Sequence, residues 1–265
     1  MDQSLKDAAL CQREIRELID IDRARRHHQE YISTLRKLGI DVIELAADES
    51  LPEGVFVEDT AMICDGTALI CRPGLASRLK EVDIIRTTLR KEGLTIVDIK
   101  DQAATIDGGD VLFTGREFFV GLSKRTNLAG AKAVASTFPE YPTALLRVRK
   151  GCHLKNFISM AGPDMIAVGD SDVAKDLLRQ MEEMSEYKEY KTITLPNDPA
   201  ANCIFVNGTI LHLPAEQYPE SIKILTDRIS TSHIELPNSE FAKVDNVLSS
   251  RCLLFNRPKY RPIRS

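Results

Sequence analysis

The sequence predicts an α/β fold: a five-unit α/β propeller of ββαβ repeats around a central polar site. Five stretches read as opening strands at nearly regular intervals: Val55–Asp59, Gly109–Phe113, Phe157–Met160, Ala201–Phe205 and Val247–Cys252. Their spacing of roughly 45–55 residues is that of a repeated architecture. Four of the five lead into a turn signal, a second strand-like run, a helical pattern and a third strand-like run. A ring of such units gathers the ends of its first strands at one centre, where chemistry is expected.

In the first unit, residues 55–64 read as a strand, Asp65-Gly66-Thr67 as a turn and 68–71 as the return, stopped by Arg72-Pro73-Gly74. Val82, Ile85 and Leu89 share a helical face, Glu92-Gly93 ends that helix, and 94–97 is a strand. The second unit turns at Thr114-Gly115-Arg116, returns through 117–121 and forms a helix near Ala131–Phe138. The third turns at Gly162-Pro163-Asp164, and Asp170 is the capping candidate for a helix with Ala174, Leu177, Leu178, Met181 and Met184 on one face. The fourth turns at Asn207-Gly208, a strong hairpin signal.

The fifth unit is divided between the two ends of the sequence. Residues 247–255 read as its first strand, 22–38 as its helix, ended by Gly39, and 41–45 as its third strand. Pairing the ends would close the ring and remove its edges. The return strand should precede the helix, but residues 1–15 are polar and helix-prone. The propeller is therefore expected to lack its first N-terminal strand, leaving an exposed edge at 247–255. The whole chain, 1–265, is expected to be one domain, with 1–19 irregular or helical and 257–265 a tail.

A chain of 265 residues, 43% hydrophobic and 28% charged, can bury one large core. A net charge of −4, without a basic stripe interleaved with aromatics, argues against a nucleic-acid partner. The apolar runs are strand-length and the start has no signal-peptide core, so no membrane association is expected. Six scattered cysteines with no CxxC pair argue against a disulfide frame or zinc site and for a reducing cytosol. The expected state is a cytoplasmic monomer or weak homodimer.

Several residues suit chemistry. Glu58-Asp59 closes an apolar stretch, where one carboxylate can face the ring centre and the other hold backbone or a cation. In Asp107-Gly108-Gly109-Asp110, paired glycines permit close backbone approach between two carboxylates. His153 occupies the place in the third unit that Asp107 occupies in the second. A carboxylate beside an imidazole orients it and stabilises its protonated form. Arg78 and Arg125 follow the returning strands of units one and two and are suited to clamping a carboxylate bidentately.

The segments Phe56–Asp59, Arg72-Pro73-Gly74, Thr105–Asn127, His153-Leu154-Lys155 and Lys243-Val244-Asp245 resemble the dimethylarginine dimethylaminohydrolase family, over about residues 20–256. The resemblance implies a five-unit propeller that hydrolyses asymmetric dimethylarginine or monomethylarginine to citrulline and a methylamine. It implies a thiolate nucleophile, a covalent thiouronium intermediate and no cofactor or metal. Carried over, His153 matches the proton-transfer histidine and Asp107 the carboxylate orienting it. Glu58 and Asp59 match substrate contacts, Arg78 and Arg125 the arginines that hold the amino-acid end, and Val244 a backbone contact. The expected partner is a small methylated arginine.

Three positions depart from the family pattern. Glu53 stands where an aspartate contacts substrate, and Asn156 replaces a serine close to the histidine. Ser250 occupies the position of the nucleophilic cysteine, while Cys252 lies two residues later. On a strand, Cys252 would share the face of Ser250 but sit about 6–7 Å away, unless a bulge restores the register. Two readings follow: a hydrolase using Cys252 as an alternative nucleophile, or an inactive member that binds methylarginine or a protein partner. The expectation is that Ser250, rather than Cys252, lies nearest His153, and that no other sulfur serves the site. The chain also begins about one strand later than the family does.

Overall fold

Asn207 and Gly208 adopt positive φ values of 47° and 73°, and Asp65 and Gly66 do the same at 47° and 75°. Both pairs close two-residue hairpins whose left-handed backbone matches the twist of the strands they join. The computed structural model describes residues 19–257. It contains four three-stranded sheets, all with the same topology.

The first sheet comprises β1 (Ala61–Cys64), β2 (Thr67–Ile70) and β3 (Thr95–Asp98), with helix α2 (Glu81–Lys91) between β2 and β3. The second comprises β4 (Val111–Phe113), β5 (Phe118–Leu122) and β6 (Thr143–Arg147), joined through α3 (Leu128–Thr137). The third comprises β7 (Ile158–Gly162), β8 (Met165–Gly169) and β9 (Lys191–Leu195), joined through α4 (Asp172–Met184). The fourth comprises β10 (Ile204–Val206), β11 (Thr209–His212) and β12 (Ser232–Glu235), joined through α5 (Pro219–Arg228). In each, the middle strand is antiparallel to the first and parallel to the third; Ala61 faces Ile70, and Ile70 faces Asp98. The middle strands are almost wholly buried and apolar. This is the ββαβ propeller unit expected from the sequence.

Caps set several helix starts. Helix α1 (Ile21–Lys37) begins after Asp20, whose side chain accepts the Arg23 N–H at 2.9 Å. Asn127 caps α3 in the same way. Ser171 caps α4 in place of the expected Asp170, because its hydroxyl reaches the Ala174 N–H at 3.2 Å. Ala174, Leu177 and Met181 face the core, whereas Met184 is exposed. Helix α3 starts at Leu128, a few residues ahead of the expected position.

The strand openings require a larger correction. Residues 57–60, 108–110, 154–156, 198–201 and 248–251 form short 3-10 turns immediately before the places where first strands begin. Glu58 and Asp59 thus lie in a turn, not at a strand end. The fifth unit departs furthest: 41–45 and 247–255 were expected as strands, but 248–251 is a turn and neither 41–45 nor 252–256 forms a ladder among the described residues. Their common partner in the other units is the middle strand, and no described segment takes that place here. Most of 1–19 and 257–265 lies outside the described residues.

Candidate active site

The five turns make a ring. The turn at 57–60 packs on those at 108–110 and 248–251, and the turn at 154–156 packs on those at 108–110 and 198–201. Side-chain acceptors stitch one unit to the next. Asp59 Oδ1 accepts the Gly109 N–H at 2.9 Å, and Asp110 Oδ1 accepts the Leu154 N–H at 2.9 Å. Ser159 Oγ accepts the Cys203 N–H at 3.0 Å, and Asn202 Oδ1 accepts the Ser249 N–H at 2.9 Å. Between the fifth and first units the link is side chain to side chain: Ser249 Oγ donates to Glu58 Oε2 at 3.1 Å. The first four of these bonds satisfy backbone donors that the tight turns leave without a ladder partner.

Inside the ring, His153 Nε2 lies 3.0 Å from Asp107 Oδ2 and 3.8 Å from Asp59 Oδ1. All three side chains are buried. Burial opposes the imidazolium charge, but Asp59 and the Asp107 hydrogen bond overcome it and hold the pKa well above the usual histidine value. Burial likewise opposes the Asp59 charge, yet His153, Arg78 and the Gly109 N–H bring that carboxyl down to about 2. Asp110 behaves oppositely: desolvation pushes it up to about 6 despite His153 and its hydroxyl donors. Asp107 also accepts the Gly74 N–H at 2.8 Å, which fixes the carboxylate that orients the histidine. Ligand atoms of Asp59, Asp107 and His153 all lie within 4.8 Å of one another, and this is the donor set that a divalent cation would find.

The structure brings Glu53, Glu58, Asp59, Arg78, Asp107 and His153 around this ring. Arg78 is turned inward. Its guanidinium bonds Asp59 at 2.6 Å, Glu81 at 2.8 Å and the Phe56 carbonyl at 2.8 Å, with Glu53 at 3.3 Å. Arg125, by contrast, has no ion pair among the described residues, although its charge acts on Glu53. Burial nevertheless raises the Glu53 pKa. Glu58 is paired with Lys155 at 2.7 Å. Val244 packs beside Phe56 and Phe241, and its carbonyl accepts from Asn246. Asn156 accepts the His153 N–H and donates to the Asp245 carbonyl, tying the histidine turn to the 243–246 loop.

Ser250 and Cys252 part company. Ser250 is buried within the turn at 248–251, whereas Cys252 follows it and packs toward Tyr31 and Leu35. The strand-face argument relating the two therefore lapses. Cys252 Sγ lies 3.8 Å from the Ser249 carbonyl, and burial pushes its thiol up to about 11. A second sulfur is present after all: Cys152 Sγ lies 3.9 Å from His153 Nε2. Sequence reasoning also missed Lys155, Glu81 and Ser249, whose partners lie 97, 3 and 191 residues away. The short Arg78–Glu81 spacing on a helix start was the one readable signal among them.

The family model described as "N,N dimethylarginine dimethylhydrolase, eukaryotic" matches residues 3–217. The human protein named "Putative hydrolase DDAH2" is 40% identical over 246 residues, covering 90% of this chain and 86% of that protein. The dimethylarginine dimethylaminohydrolase of Pseudomonas aeruginosa is 30% identical over 240 residues, covering 89% and 90%. A solved cysteine-to-serine variant of the P. aeruginosa enzyme, complexed with citrulline, superposes with a TM-score of 0.82 at 28% identity over 94% of each chain. With the repeat topology and the Asp–His–Asp centre, these similarities place the chain in the dimethylarginine dimethylaminohydrolase family, hydrolases acting on C–N bonds.

Proposed function

We propose that the ring centre binds a methylated arginine and that the chain hydrolyses it to citrulline and a methylamine. The observation that carries this reading is the histidine held protonated by Asp107 at 3.0 Å and Asp59 at 3.8 Å, one turn away from Glu58. Glu58 already holds one cation, the Lys155 ammonium, and exchange for a guanidinium conserves its charge balance. Arg125, with no ion pair among the described residues, receives the substrate carboxylate. In this reading the Cys252 sulfur, as thiolate, attacks the guanidinium carbon, His153 gives its proton to the departing amine, and water then breaks the C–S bond of the thiouronium, releasing citrulline and the thiolate.

A second reading is favoured by the nucleophile segment: binding without turnover. Ser250 stands in the ring turn, and the Cys252 thiol is held protonated by burial. A serine hydroxyl is a far weaker nucleophile than a thiolate at neutral pH. Calorimetry with dimethylarginine tests the shared part of both readings, and absence of binding sinks both. Citrulline release then separates them. Ser250→Cys is expected to raise release by roughly tenfold or more, while Cys252→Ala and Cys152→Ala change it little. Loss of an existing activity in Cys252→Ala, with a thiouronium mass on Cys252 in the unsubstituted protein, assigns the nucleophile to Cys252 instead.

A further inference from the structure

Two histidines of the fourth sheet are held as metal ligands are held. His212 ends β11, and His233 lies on β12, the outer strand of that sheet. The register pairs Ile210 with His233 and His212 with Glu235, so His212, His233 and Glu235 share one face. It is the face packed against α5, since Ile210 clusters with Ile222, Leu225 and Ile229.

The hydrogen bonds fix both tautomers. His212 Nδ1 lies 2.8 Å from the Leu213 carbonyl oxygen, and His233 Nε2 lies 2.8 Å from the Ile229 carbonyl oxygen. A carbonyl only accepts, so each of those nitrogens carries a proton. Each neutral ring then keeps its lone pair on the other nitrogen, Nε2 of His212 and Nδ1 of His233. Both of these atoms are buried, and neither has a partner among the described residues. Buried acceptors are ordinarily satisfied. One ring N–H donated to a carbonyl, with the second nitrogen free, is how a ligating histidine is oriented. The ring centroids lie 5.4 Å apart with the planes at 61°. A tetrahedral ion about 2.0–2.1 Å from each of two imidazole nitrogens sets the ring centroids roughly 5–5.5 Å apart.

We propose that His212 Nε2 and His233 Nδ1 bind a divalent transition metal of the zinc type, in a site that shares no residue with the ring centre. Imidazole donors suit zinc, copper and nickel, whereas magnesium and calcium call for oxygen ligands. Among the described residues, three ligand atoms converge within 4.8 Å only at Asp59, Asp107 and His153. The fourth-sheet site is therefore a two-histidine site, completed by water or by a swing of Glu235, and it holds its ion less tightly than a four-ligand structural zinc. Glu235 now accepts the Ala215 N–H through Oε1 at 3.1 Å, and its negative charge already acts on His212. Ser232 and Glu235 are exposed on the outer strand, which opens an approach for the ion.

The test uses the full chain, freed of metal by chelation, with zinc alone as the probe. Long-range proton–nitrogen NMR of the imidazoles reads each ring nitrogen separately. Stoichiometric zinc should shift His212 Nε2 and His233 Nδ1 together, while His212 Nδ1 and His233 Nε2 keep their protons. Because Asp59, Asp107 and His153 also offer donors, calorimetry is run in a His153→Gln background, where a zinc site should remain. Adding His233→Gln, whose amide can still donate to the Ile229 carbonyl, should weaken that site by roughly tenfold or more. Zinc that moves only the His153 ring overturns the proposal. So do His212 and His233 signals that move only in a large excess of zinc, and so does an affinity unchanged by His233→Gln. If a variant fails to fold, the NMR titration of the unsubstituted chain decides alone.

Discussion

His153 and Asp59 hold each other charged: their nearest atoms lie 3.8 Å apart, the histidine pKa is raised and the carboxyl pKa lowered to about 2. Each contribution to stability has its own pH window. The raised histidine contributes fully below about pH 6.5, and that contribution is lost as pH rises through the folded-state pKa. The lowered Asp59 contributes above 3.8 and is lost as pH falls toward 2. Asp59→Asn should lower the His153 pKa, read by NMR titration of the imidazole. A histidine pKa that does not fall in this variant contradicts the pairing.

Asp110 has the opposite sign. Its folded pKa of about 6 exceeds the unfolded 3.8, so its contribution is present below 3.8 and is lost as pH rises through 6. The shift corresponds to a cost of about 3 kcal/mol above pH 7. Asp110→Asn keeps an acceptor for the Leu154 N–H. Urea melts should show this variant more stable than the parent at pH 8 and nearly equal to it at pH 4. Equal differences at the two pH values would rule out a buried, destabilised carboxylate.

Arg78 is a keystone of charge. Removing it in Arg78→Met leaves Asp59 and Glu81 buried without their cation, which should cost about 3–5 kcal/mol. Arg78→Lys should restore only part of that, since an ammonium cannot span Asp59, Glu81 and the Phe56 carbonyl together. Thermal melts of the two variants check the order.

Gly109 approaches the histidine so closely that a Cβ there would lie 2.8 Å from His153 Nδ1 and 3.0 Å from Asp59 Oδ1. Gly109→Ala should displace the imidazole, lower its pKa and weaken dimethylarginine binding by roughly tenfold or more, since small misplacements of reacting groups are costly. Wild-type binding by calorimetry, with an unshifted histidine titration, would refute this.

Local signals made much of the architecture readable. Asp65-Gly66 and Asn207-Gly208 announce hairpins because few other residues tolerate their backbone, and Val82, Ile85 and Leu89 mark a helical face by spacing alone. The opening turns were hidden because Val55-Phe56-Val57 has the composition of a strand, while its conformation is set by the turn that directs Asp59 at Gly109, 50 residues away. The fifth unit misled for a related reason. Residues 41–45 and 247–255 have strand composition, but a strand exists only with a hydrogen-bonded neighbour, and they have none among the described residues. At the site, Asp107 and His153 were found through their equivalent places in successive units. Lys155 beside Glu58 and Cys152 beside His153 depend on side-chain directions that no repeat alignment conveys.

The bond from Ser249 to Glu58 gives the ring a mechanical character. At the other four junctions a backbone N–H is clasped by a neighbouring side chain, but here two side chains meet and either can rotate away. The molecule is a clasped collar, and its side-chain clasp sits between the fifth and first units. Breathing motions of the ring should therefore concentrate at that clasp, where rotation of one side chain is enough to undo the bond.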